Sequence, residues 1–158
     1  HDEAHRRFGV IFRNRKPALL EEILCDLEEV AQKNGVKMVQ PREGELVGND
    51  ALLYRAIYNV IENSIKYNHT GGRVSAQSNV EKGQIIVTIS DSGRGIPAED
   101  QKQVFDPFFR VDKSRSRQMG GCGLGLALTK AIIELHGGQI RIVSSSPKGT
   151  TIRIMLPQ

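Results

Sequence analysis

Asn59-Val-Ile-Glu-Asn63-Ser-Ile-Lys66-Tyr67-Asn68 is the segment on which the reading of this chain turns. At about 100° per residue, a helix through it has two faces. Leu53, Ile57, Val60, Ile61 and Ser64 fall on one, the spacing of a helix lying against a sheet. Asn59, Asn63, Lys66 and Tyr67 recur at i, i+4, i+7 and i+8 and share the opposite side. Two carboxamides, a lysine and an aromatic on one stripe suit a magnesium-bound phosphate chain and a flat base. A solvated face that happens to be rich in Asn is the alternative until other segments are read.

Outward from that helix, the pattern alternates between helical and strand periods. Leu19, Leu20, Ile23, Leu24, Leu27 and Val30 predict a helix over 18–33, introduced by Pro17 and closed by Asn34-Gly35. Residues 36–40 read as a strand, 41–44 as a turn and 46–47 as a short return strand. The central helix runs from an N-cap at Asn49 or Asp50 to Tyr67. Residues 73–79 and 84–90 form a predicted hairpin around Glu81-Lys82-Gly83, with Ile85, Val87 and Ile89 pointing inward. Pro97 opens a predicted short helix to Val104, and 105–123 is irregular, the length of a loop that usually serves as a lid. A helix over 124–136 stops at Gly137-Gly138, and strands over 139–143 and 150–156 flank a turn at 144–149. Strands arriving as adjacent antiparallel pairs predict one mixed, mostly antiparallel sheet with helices on a single face, an α/β (α+β) two-layer sandwich.

Three further segments carry chemistry. Asp91-Ser-Gly93-Arg-Gly95-Ile96-Pro97 follows a predicted strand directly. A carboxylate at a strand end, with glycines that let backbone approach a flat ligand, accepts a hydrogen bond from an exocyclic amine. Adenine presents an amine there and guanine a carbonyl, so a buried acceptor discriminates between them. An ordinary turn after a strand is the competing reading. Gly93-x-Gly95-x-x-Ala98 also matches a loosened dinucleotide fingerprint, but Pro97 delays the helix and no second strand with a ribose acid follows.

Gly120-Gly121-Cys122-Gly123-Leu124-Gly125-Leu126 opens the helix over 124–136, and free N–H groups at a helix start favour anions. It lacks Gly-Lys-Ser/Thr, which excludes the Walker arrangement. Phe105-Asp-Pro-Phe108-Phe109-Arg110 begins the irregular stretch, where aromatics pin a loop to the body. Arg110, Lys113, Arg115 and Arg117 suit either a triphosphate or a solvated basic loop.

In this order the segments resemble the ATP-binding catalytic domain of bacterial sensor histidine kinases, in the superfamily shared with gyrase, the heat-shock chaperone ATPases and the mismatch-repair MutL proteins. The likeness covers about residues 18–157. Its parts are an N box (Asn59 to Tyr67), a first G box (Asp91-x-Gly93-x-Gly95), an F box (Phe105 to Phe109), a second G box (Gly121-x-Gly123-Leu124-Gly125-Leu126) and a terminal Gly149-Thr150. Each is loose alone; five in order are specific. The resemblance implies a Bergerat fold binding ATP and Mg2+. It implies that Asn63 supplies the magnesium-coordinating amide, with Asn59 and Lys66 near the phosphates as the catalytic set. Asp91 would bind the adenine amine, Tyr67 would pack on the ring, and Gly121, Gly123 and Gly125 would hinge the lid. Gly93, Gly95, Ile96, Phe105, Arg110, Leu124, Leu126 and Thr150 complete the implied nucleotide site. Cys122 stands where the family often has threonine.

Hydrolysing relatives carry glutamate where this chain has Asn59, and an amide cannot act as general base. A neutral imidazole needs little deprotonation to act as a nucleophile, so asparagine there suits transfer to histidine. No His lies in a His-Glu-Leu-x-x-Pro-like acceptor segment: His69 reads as a turn residue and His136 as a helix end. The expected function is donation of the γ-phosphate to a histidine-bearing dimerisation domain of the same protein, then relay to a response regulator. A nucleotide-binding regulatory module and an anti-sigma-type serine kinase share the same boxes and remain the alternatives.

Bulk properties agree. Net charge is +4, aromatics make up 5% and tryptophan is absent, which leaves few stacking platforms for nucleic acid. No run approaches the roughly 18 apolar residues of a membrane span. Cys25 and Cys122 read as free thiols in a reducing compartment. Residues 1–17, charged and poorly periodic, are expected to be a lead-in to one domain over 18–158. The family implies a monomeric cytoplasmic domain without membrane contact of its own, in a sensor anchored in the bacterial inner membrane.

Overall fold

The computed structural model describes residues 19–39, 51–107 and 125–157. The first predicted helix forms as α1 (Leu19–Asp26) and α2 (Glu28–Asn34), interrupted at Leu27. Leu27 leaves the helical region at φ −95° and ψ 2°, while i→i−4 bonds from Leu27 to Ile23 and Ala31 to Leu27 carry the axis through. Gly35 closes α2 at φ 65°, with Gly35 N–H donating to Gln32 O and Val36 N–H to Ala31 O, the paired bonds of a Schellman end. The chain then enters β1 (Lys37–Val39). The predicted turn at 41–44, the return strand at 46–47 and the N-cap at 49–50 lie outside the described residues.

α3 (Ala51–Lys66) connects β1 to β2 (Arg73–Glu81), and these two strands pair in parallel. β2 and β3 (Gln84–Asp91) form the predicted hairpin, and both strands run slightly further than their sequence pattern indicates. Its turn is the two residues Lys82 and Gly83, at φ 49° and 78°, the mirror-image geometry that matches strand twist. α4 (Gly125–Leu135) follows, then β4 (Gln139–Ser146) and β5 (Gly149–Pro157). The sheet order is β1-β2-β3-β5-β4, with every pairing except the first antiparallel. The stretch 144–149, which its serines mark as a turn, is mostly strand: Ser144–Ser146 pair with Gly149–Thr151 across a bulge.

One sheet face is apolar. Val74, Ala76, Val87, Ile89, Ile152, Ile154 and Leu156 alternate onto it and form one core with Ala56, Ile57, Val60, Ile61 and Ile65 of α3, Leu19, Leu20, Ile23 and Leu24 of α1, Leu27 after it, and Ile132 and Ile133 of α4. Burying each large aliphatic chain contributes about 1.5–3 kcal/mol. The other face carries Ser75, Gln77, Asn79, Thr88, Ser90 and Thr151, which fits helices on one side only. Ile86 and Met155 are cross-strand partners on this polar face. The Arg141 guanidinium lies 3.4 Å from the Met155 sulfur and covers it. Cys25 is a buried free thiol whose pKa is raised, chiefly by burial.

Residues 97–104 correct the expectation of a short helix. They form successive turns, with Asp100 N–H bonded to Pro97 O, Gln103 to Asp100 O and Asp106 to Gln103 O. Of this stretch only Val104 is buried, and one anchor cannot offset the cost of nucleating a regular helix. No helix among the described residues is long and apolar enough to cross a membrane.

Candidate nucleotide site

Asp91 ends β3 on the apolar face, in register with Val74 of β2 and Thr150 of β5. Its Oδ1 accepts the Gly93 N–H at 2.9 Å and the Thr150 N–H at 3.3 Å. Burial pushes its carboxyl pKa up, and hydrogen bonds from Gly93, Thr150 and the Ser64 hydroxyl pull against that shift. The site thus holds a partly desolvated carboxylate, kept in place by backbone donors from the loop after β3 and from β5. Gly149 permits the crossing: at φ 146°, a Cβ there would lie 2.0 Å from the Asp91 carbonyl oxygen.

The second half of the same loop is fixed to the β4–β5 hairpin. Ile96 N–H donates to Ser145 Oγ at 2.7 Å, and Ser145 Oγ lies 2.8 Å from Thr150 Oγ1. Gly95 (φ 79°) passes so close to Ser146 that a Cβ would meet its carbonyl oxygen at 2.0 Å. Ser145, which no sequence signal marks, therefore links two predicted site residues, Ile96 and Thr150. Ser64 reads from the sequence only as part of the buried stripe; its hydroxyl donates to the Val60 carbonyl oxygen at 3.1 Å and lies near enough to Asp91 to lower its pKa.

On α3 the polar stripe forms as predicted, but one end of it is covered. Asn59 is 7% exposed, and its Nδ2 donates to the Gly125 carbonyl oxygen at 3.4 Å. A Cβ on Gly125 would lie 3.8 Å from Asn63 Nδ2, so the start of α4 sits against both carboxamides. Thr129, fully buried, locks the two helices: its Oγ1 is 3.0 Å from Ala56 O and 2.9 Å from Gly125 O. Lys66 is half-buried and 3.8 Å from Glu62 one turn back. A pair at that distance near the surface is worth about 0–1 kcal/mol, so Glu62 holds Lys66 only weakly.

At the other end of α3, half-buried Tyr67 adjoins the first glycine loop; a Cβ on Gly93 would lie 3.2 Å from the Tyr67 carbonyl oxygen. Phe105 is half-buried, with Lys130 Nζ of α4 5.9 Å from its ring centroid. Leu126 packs on the core from the first turn of α4. Asn59, Asn63, Tyr67, Asp91, Gly93, Gly95, Ile96, Gly125 and Thr150 are thereby brought into one region. Arg110, Gly121, Gly123 and Leu124 lie outside the described residues, as do Phe108, Phe109 and Cys122.

Among the described residues no His, Cys, Asp and Glu cluster has the makings of a metal site. The Asn63 carboxamide would supply a single hard oxygen to a magnesium ion, a donor type that suits this cation.

A mixed sheet backed by helices on one face, with a half-buried aspartate at the end of a central strand beside α3, is an α/β sandwich of the kind seen in histidine kinase catalytic domains. The chain belongs to the histidine kinase-, DNA gyrase B-, and HSP90-like ATPase family, whose model matches residues 48–158, and within it is an ATP-binding catalytic domain of the bacterial sensor kinase type. It is 41% identical over 118 residues to the sensor-like histidine kinase SenX3 of Mycolicibacterium smegmatis, covering 75% of this chain and 31% of that one. It is 46% identical over 101 residues to the sensor histidine kinase WalK of Bacillus subtilis, covering 63% of this chain and 16% of that one. The solved mycobacterial sensor histidine kinase MprB superposes with a TM-score of 0.71 at 34% identity, covering 89% of this chain and 96% of that one. The chain thus spans under a third of the curated relatives it matches.

Proposed function

We propose that this domain binds Mg-ATP and donates the γ-phosphate to a histidine on a separate dimerisation and phosphoacceptor domain of the same protein. The observation that carries the reading is the pairing of Asp91, desolvated and fixed through Oδ1, with an asparagine at position 59 that is already bonded to Gly125. Asp91 accepts the adenine amine, and Tyr67 packs on the ring. Asn63 holds magnesium, which neutralises charge on the phosphates when bound. Lys66, released from Glu62, approaches the phosphate chain. Gly93, Gly95, Ile96, Phe105, Thr150, Gly125 and Leu126 line the nucleotide, with Arg110, Gly121, Gly123 and Leu124 closing over it.

In the transfer step an imidazole nitrogen of the acceptor attacks the γ-phosphorus. The bond to the β,γ-bridging oxygen breaks, ADP leaves with its electron pair, and the imidazole proton passes to solvent. The chain's contribution is positioning and charge neutralisation. Asn59 provides no base to activate water, which favours transfer over hydrolysis. A response regulator then takes the phosphoryl group, and the intact protein is a membrane-anchored sensor with this domain in the cytoplasm.

The test mixes the domain with a matching acceptor-helix pair and γ-labelled ATP. Acid-labile label on the acceptor histidine supports the reading. Acid-stable label would assign a serine kinase, and bound ATP with no label transfer would leave a regulatory module.

A further inference from the structure

The chain leaves α3 through Tyr67-Asn68-His69 and returns as β2, which brings His69 beside the exit of β3. His69 Nε2 lies 2.8 Å from the Ser92 carbonyl oxygen. A carbonyl only accepts, so Nε2 carries the proton and donates it. The rest of Ser92 is held by Arg73: Ser92 N–H donates to Arg73 O at 3.1 Å, and Ser92 Oγ accepts the Arg73 N–H at 2.8 Å. Asn68 fixes the approach of the histidine, taking the His69 N–H on its Oδ1 at 2.9 Å and donating Nδ2 to Arg73 O at 3.0 Å.

The Ser92 carbonyl and the Gly93 N–H belong to one planar peptide unit. That N–H is the 2.9 Å donor to Asp91 Oδ1. Holding the oxygen of this unit therefore holds its N–H, and the N–H holds the carboxylate. A glycine on one side makes the unit free to rotate when nothing grips it.

We propose that His69 is a positioning residue for purine recognition, acting through the Ser92–Gly93 peptide on the Asp91 carboxylate. The inference rests on the reading of Asp91 as the adenine acceptor. It is tested by calorimetric affinities for Mg-ATP and Mg-GTP in the full 158-residue chain, comparing the unmodified protein with His69→Ala and His69→Gln. Gln offers an amide donor at similar reach. His69→Ala should weaken ATP binding about 3- to 10-fold, the scale of one lost hydrogen bond, and narrow the preference for ATP over GTP. His69→Gln should recover most of both. A role in folding alone would lower the thermal midpoint without moving the ATP-to-GTP ratio, and that result overturns the inference. Unchanged ATP affinity and ratio in His69→Ala, or equal losses in both variants, overturn it too. Should the unmodified chain itself fail to bind ATP, the proposed function falls and takes this inference with it.

Discussion

The Asn59 carboxamide donates to the Gly125 carbonyl oxygen at 3.4 Å, so the start of α4 rests directly on the polar ridge of α3. Replacing that donor by a carboxylate sets two acceptors against each other in a site only 7% exposed. Asn59→Asp should cost about 1–3 kcal/mol at neutral pH. The cost should shrink at low pH, where the protonated acid can donate again. Thermal melts at pH 7 and pH 4 read both effects, and a stability loss that does not depend on pH would contradict the contact.

Burial raises the Asp91 pKa above its ordinary value. A raised carboxyl binds its proton more readily in the folded state, so acid relieves the cost of burying this charge and alkali restores it. If Asp91 is the adenine acceptor, as proposed, nucleotide binding runs the other way, because the adenine amine needs the ionised carboxylate. ATP affinity should therefore begin to fall, on acidification, at a higher pH than an unperturbed aspartate would give. Asp91→Asn should remove that acid limb and loosen adenine preference. An Asp91→Asn protein that keeps the same pH profile for ATP would show that the limb belongs to another group.

Lys82 occupies the first position of the β2–β3 turn at φ 49°, a region that costs a non-glycine side chain about 1–2 kcal/mol. Asn tolerates it better and is favoured in this turn type. Lys82→Asn should stabilise the domain by about 0.5–1 kcal/mol in urea melts without changing ATP affinity. Any destabilisation would mean that Lys82 makes a contact worth more than its backbone strain.

The sequence discloses what neighbouring residues decide and hides what distant ones decide. The α3 stripes are legible because a helical period sorts residues within two turns. The helix ends at Gly35 and Gly137 are legible because a left-handed residue is a local demand. That α4 covers Asn59 is not, since a period assigns a face but not its occupant. His69 and Ser145 look like turn residues because their partners, Ser92 and Ile96, lie 23 and 49 positions away. Ser144–Ser146 have the composition of a turn, and pairing with β5 makes them strand. Pro97–Val104 has a helix start without the apolar stripe that would hold a helix down.

Asn63 is half-buried beside Gly125 and is the proposed magnesium ligand. Asn63→Asp places a full negative charge beside the phosphates. Binding of a non-hydrolysable ATP analogue with magnesium present should weaken roughly 10-fold or more, the scale of a disturbed ligand shell and an added repulsion. Asn63→Ala, which has no ligating oxygen, should weaken magnesium-dependent binding as well, and tight binding retained in Asn63→Ala would remove this residue from the metal's shell.

The most direct measurement is isothermal calorimetry of the domain with Mg-ATP and with Mg-GTP. ATP should bind at least about 10-fold more tightly than GTP, because a partly desolvated carboxylate acceptor would face an amine in one base and a carbonyl in the other. Equal affinities, or no detectable heat with ATP, would contradict the assignment of Asp91 as the adenine acceptor.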